Sequence, residues 1–105
     1  MLFLLTMRHK DSYFALEHKD RTLIFTKRVM FMEKNINNKK CRTAYFDGDL
    51  KGTFSIWELG SNEDAAMLML DMPGREYEDM DLDPILDYDH AVKKLTMYFE
   101  LETKE

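Results

Sequence analysis

The sequence has one cysteine, two prolines and four glycines among its 105 residues, and each scarcity excludes something. A single thiol, Cys41, makes no disulfide within the chain and builds no zinc site by itself, which favours a reducing compartment. Four scattered glycines supply no glycine-rich phosphate loop. No apolar run approaches the roughly 20 residues that cross a bilayer. The apolar start, Met1-Leu2-Phe3-Leu4-Leu5, is too short for a signal segment, and no basic stretch precedes it. The expectation is a cytoplasmic protein with no membrane association. Ser12, Ser55 and Ser61 lack the context of a nucleophile elbow. His9, His18 and His90 show no ligand-like spacing and read as surface turn residues. No catalytic motif stands out, so a non-enzymatic protein with no cofactor and no metal is expected.

What the chain does contain is enough to fold. Apolar residues make up 45% and charged residues 33%, so one single domain over 1–105 with one hydrophobic core is expected. The net charge of −5 conceals a division along the chain. Residues 1–50 carry ten basic and six acidic side chains, a net of +4, whereas residues 51–105 carry five and fourteen, a net of −9.

Local patterns point to an α+β fold. Leu2–Arg8, Ser12–Glu17 and Thr22–Glu33 are rich in aromatic and β-branched residues and read as strands, with Asn35–Lys40 a loop by composition. Cys41–Phe46 and Thr53–Leu59 read as two more strands joined by a tight turn. Short connections of this kind favour antiparallel pairing, because parallel crossovers need longer ones. Ser61-Asn62-Glu63-Asp64 reads as a helix N-terminus with Ser61 as cap, and the helix runs to Pro73-Gly74. Asp83-Pro84 reads as a second helix start. Ile85, Tyr88, Val92, Leu95 and Phe99 then recur at helical spacing, with a terminal strand at 95–102 as the competing reading. The expected architecture is a small antiparallel sheet of about four to five strands from the N-terminal half, covered by one or two C-terminal helices. Leu68, Trp57 and the stripe Ile85, Val92, Leu95 and Phe99 would form the core.

Three features carry functional expectations. The strongest is the acidic segment: Glu76, Glu78, Asp79, Asp81, Asp83, Asp87 and Asp89 place seven carboxylates within fourteen residues. In an extended chain, alternate side chains share a face about 6.6 Å apart, near the spacing of neighbouring nucleic-acid phosphates. Such an array suits a basic groove on another protein, with Tyr77, Met80 and Leu82 adding apolar contact. The functional expectation is a protein-binding regulator or inhibitor whose acidic surface mimics nucleic acid, as small phage proteins that block host enzymes or defence systems do. A second copy of the chain is a further candidate partner.

The second feature is Asp47-Gly48-Asp49-Leu50-Lys51-Gly52-Thr53-Phe54-Ser55-Ile56-Trp57-Glu58, which resembles an EF-hand calcium loop: acids at positions one and three, glycine at six, an apolar residue at eight and glutamate at twelve. Lys51 occupies position five, where a ligand oxygen belongs, so a β-hairpin is the preferred reading and a calcium-binding module the alternative. The third is the basic first half, where Lys27, Arg28, Lys34, Lys39, Lys40 and Arg42 accompany aromatics that stack on bases. A nucleic-acid-binding domain is the other alternative, although the negative total charge argues against it. Cys41 reads as a buried, inert strand residue.

Overall fold

The computed structural model describes residues 1–104, with the side chains of the last helix described to Leu101. The elements run β1 (Leu2–His9), α1 (Asp11–Phe14), α2 (His18–Asn37), β2 (Cys41–Phe46), β3 (Gly52–Glu58), α3 (Asn62–Asp71), a 3-10 turn (Arg75–Tyr77), β4 (Glu78–Ile85) and α4 (Tyr88–Lys104). The fold is α+β. The four strands form one antiparallel sheet in the order β2-β3-β1-β4. With α1–α2 and α3 as the crossovers, the first 85 residues form the β-α-β-β-α-β arrangement known as split βαβ.

Alternation along β1 decides which face is covered. Phe3, Leu5 and Met7 are buried, while Leu2, Leu4 and Thr6 between them are half-buried. Phe3 sits opposite Trp57 on one side and Pro84 on the other, and Leu5 opposite Ser55 and Leu82. Helices α2 and α3 press Phe31, Met32, Ala65 and Leu68 onto this face, and Cys41, Leu59 and Met72 complete the core. Trp57 and Leu68 therefore lie in the core as the sequence implies, and Ser61 caps α3 by accepting from the Asp64 amide at 3.1 Å.

Several elements differ from their sequence reading, each for a physical reason. Thr22–Glu33 is not a strand but the middle of α2. The residues turned inward are Arg21, Ile24, Arg28, Val29, Phe31, Met32 and Asn35, a helical spacing concealed because three of its members are polar. The threonines that raise strand propensity instead bond back along the helix: Thr22 Oγ1 donates to the His18 carbonyl and Thr26 Oγ1 to that of Thr22, both at 2.9 Å. Ser12–Glu17 likewise falls in α1 and the turn after it, and the expected loop from Asn35 begins inside α2, where Asn35 is buried and donates to the Phe31 carbonyl at 2.8 Å.

The acidic segment, expected to present its carboxylates to a partner, supplies the fourth strand. Pro84 does not start a helix but lies within β4, which tolerates it because β4 is an edge strand and needs no amide there. The helix begins four residues later, where Asp87 accepts from the His90 amide at 3.2 Å. Helix, not strand, extends through 95–102. The stripe of α4 does not pack on the sheet as expected: Val92, Leu95 and Phe99 are all exposed. The molecule is 64 Å long but only 28 by 23 Å across, because α4, about 25 Å in length, leaves the body.

Candidate functional site

The sheet's covered face is not sealed along its whole length. Between α2 and strands β1, β2 and β3 lies an open cavity of about 240 Å³. Its walls are apolar for most of their extent: Leu5 and Met7 from β1, Phe25, Val29 and Ile36 from α2, and Ala44 and Phe46 from β2. Among its charged and polar members, which also include Glu33, Thr53 and Ser55, are His9, Tyr13, Arg28 and Glu78.

Each polar group is brought there by a different element. Glu78 opens β4 and pairs in register with His9 at the end of β1. Inward alternation buries its carboxylate, and the residue is 3% exposed. A buried carboxylate requires partners. Oε1 has two: His9 Nδ1 at 2.5 Å, and Arg28 from the middle of α2. Arg28 also donates from Nε to the Pro73 carbonyl at 2.7 Å and from Nη2 to that of Gly74 at 2.8 Å. Gly74 sits at φ +72°, where a Cβ would come within 2.6 Å of Ile24 Cγ2, so the turn between α3 and β4 can press against α2. The second carboxylate oxygen, Oε2, is buried with no protein partner.

The imidazole is positioned by stacking as well as by charge. Tyr13 lies against it at 3.8 Å between centroids with 9° between planes, and Phe14 meets it edge-on. With Glu78 accepting from Nδ1–H, the neutral ring keeps its lone pair on Nε2, which has no hydrogen-bond partner among the described residues. A carboxylate behind an imidazole both fixes the tautomer and stabilises the imidazolium once a proton arrives. The arrangement fixes an imidazole in the lining of an apolar cavity, with the Arg28 guanidinium beside it on the same carboxylate oxygen.

None of these four residues belongs to a motif. Nothing local in the sequence distinguishes His9 from a surface turn residue or Glu78 from the other carboxylates of the acidic segment. One sequence signal pointed the other way: Glu78 begins the alternation Glu78, Met80, Leu82, whose other two members are apolar.

The remaining carboxylates of the acidic segment divide. Glu78 is withdrawn from the surface, and Asp87 caps α4. Glu76 is exposed in the 3-10 turn and Asp89 in the first turn of α4. Asp79, Asp81 and Asp83 alternate on the face of β4 turned away from α2 and α3, are exposed, and form no ion pair among the described residues.

Residues 47–58 form the β2–β3 hairpin rather than a helix–loop–helix. Asp47 and Asp49 both bind Arg8, at 2.7 and 3.0 Å. The backbone amide of Lys51, then Arg8, holds the Asp49 carboxyl below its ordinary range, and Asp49 in turn raises Arg8. Glu58, the would-be twelfth ligand, lies at the far end of β3 near the N-terminus and Arg42. The basic residues of the first half do not gather at the cavity, except Arg28. Cys41 is buried, and burial pushes its thiol up, as expected of an inert strand cysteine. No helix among the described residues is long and apolar enough to cross a membrane. No protein-family model matches the chain, and no curated protein is similar to it.

Proposed function

We propose that the chain binds a small, largely apolar molecule in the cavity beside α2 and moves a proton on it with His9. The observation that carries this reading is the buried Glu78 carboxylate, which holds His9 Nδ1 while the same two residues line the cavity. In this scheme Nε2 takes a proton from a hydroxyl or from a carbon next to a carbonyl. Glu78 stabilises the imidazolium, Arg28 stabilises the negative charge left on the ligand oxygen, and the proton then returns to the ligand. The reading departs from the non-enzymatic role expected of a chain without catalytic motifs.

A panel of small cyclic ketones and phenols tests it. Amide shift changes on titration should cluster at Leu5, Val29 and Ala44, and Ala44→Trp, which fills the cavity from β2, should abolish them. Deuterium exchange next to the carbonyl of a bound ketone should be accelerated by the native chain and lost in His9→Gln. If no member of the panel perturbs the cavity residues at millimolar concentration, the reading is wrong.

One observation favours a second reading, the regulator with an acidic docking surface. Asp79, Asp81 and Asp83 form a row of unpaired carboxylates along one edge of the sheet, with the alternation expected for engaging a basic protein partner. Exposed edge strands also carry charge simply to prevent edge-to-edge pairing. Replacing all three by asparagine should leave the melting temperature within a few degrees. It should also weaken salt-sensitive binding to a basic partner captured from the native host about tenfold or more. Unchanged affinity would assign the row to edge protection alone.

A further inference from the structure

We propose that two copies of the chain pair as a symmetric dimer, the apolar stripe of each α4 lying across the open face of the other's sheet. The chain carries two apolar surfaces that its own fold leaves uncovered. One is the sheet face opposite α2 and α3, centred on Leu4, Phe54 and Ile56, with Phe54 38% exposed. The other is on α4, where Val92, Leu95 and Tyr98 are 40, 54 and 56% exposed and fall, at 100° per residue, within a sector of about 120°. A helix stripe and a sheet face are natural packing partners. Within one chain they stay apart, because only Leu86 and Asp87 separate β4 from α4.

Dimensions and charge identify the second copy as the occupant. An eight-residue strand is about 26 Å long, close to the roughly 25 Å of α4, so one helix laid along the strands spans their length over the central pair β3 and β1. The sheet's two edges differ in sign: Asp79, Asp81 and Asp83 border it on β4, and Lys40 and Arg42 on the β2 side. Along the borders of the α4 stripe, Lys94 is the charged residue on one side, while Asp89 and Glu100 stand on the other with Lys93 behind them. A single orientation places Lys94 against the aspartates and Glu100 against Arg42. When the two copies exchange helices about a two-fold axis the contact is isologous and closes at two, whereas passing each helix on to a third copy would build a larger assembly.

Sedimentation of the full chain between micromolar and about 100 µM concentrations tests the proposal. A dimer is expected. Leu95→Asp in α4 and Phe54→Lys on the sheet, introduced separately, should each raise the dissociation constant at least tenfold while leaving the circular dichroism spectrum unchanged. Asp81→Lys should weaken the dimer, and adding Lys94→Asp should restore it. A monomer at 100 µM would overturn the proposal. A dimer that loses affinity with Leu95→Asp but not with Phe54→Lys would overturn it too, since α4 would then be pairing with its own copy.

Discussion

Replacing Glu78 by leucine should destabilise the fold by about 3–5 kcal/mol, the usual cost of stripping one partner from a buried ion pair. For a domain of this length that lowers the melting temperature by at least about 12 °C. The effect is large because one carboxylate oxygen serves two elements: Arg28 from α2 and His9 from β1 both converge on Oε1. Without it a guanidinium that is largely withdrawn from water has no counter-charge, and leucine offers it no acceptor. Arg28 continues to hold the carbonyls of Pro73 and Gly74, so the guanidinium cannot swing out to solvent without giving up that turn as well. Glu78→Gln keeps an acceptor in place and should cost less, about 1.5–3 kcal/mol, the range for hydrogen bonds that involve a charge. Urea denaturation of the native chain and both variants separates the two. A leucine variant as stable as the native chain would mean that the pair contributes nothing and that its position is fixed by packing alone.

The same residue shows why the fold was more legible in the sequence than the site. Strands β1, β2 and β3 are legible as short runs rich in apolar, aromatic and β-branched residues between turns, and α3 from its serine cap and the Pro73-Gly74 stop. Each of these is a local signal. Helix α2 failed to announce itself because its inward face includes Arg21, Arg28 and Asn35, and a search for apolar periodicity passes over polar members. Arg28 faces inward because partners wait there, a turn more than forty residues away and a glutamate fifty residues away, whereas Asn35 bonds back within α2 and the buried Arg21 Nε has no hydrogen-bond partner among the described residues. The site was hidden for the same reason. His9 and Glu78 are 69 positions apart and meet only through the β1–β4 register, which the sequence did not suggest because β4 looked like a solvated acidic stretch. The α4 stripe is the converse case. Its helical period was readable, but an apolar period says only that a face wants cover, not that the cover comes from the same chain.

Trp57→Ala should cost a further class of stability, about 3–5 kcal/mol, from the cavity left by a large buried aromatic. Trp57 is 1% exposed and sits where the sheet meets α2: Phe31 lies against it at 6.3 Å between centroids, Phe3 is its neighbour on β1 and Cys41 its neighbour on β2. Its indole N–H donates to Ser55 Oγ at 2.7 Å inside the core, so size and hydrogen bonding contribute separately. Trp57→Phe keeps most of the ring but leaves the buried Ser55 hydroxyl without its donor, at a cost of about 1–3 kcal/mol. Adding Ser55→Ala to that variant should recover part of the loss, and the double-mutant cycle isolates the bond from the packing. The alanine variant has a consequence at the cavity too. Ser55 lines the cavity directly, and Phe31 ties α2, its opposite wall, to Trp57. Emptying the Trp57 position should therefore loosen α2 and weaken ligand binding in the remaining folded fraction, whereas Trp57→Phe should leave binding nearly intact. Hydrogen exchange of the α2 amides reads this directly: faster exchange in the alanine variant alone would tie the cavity's shape to the core beneath it, and equal exchange in both would separate the two.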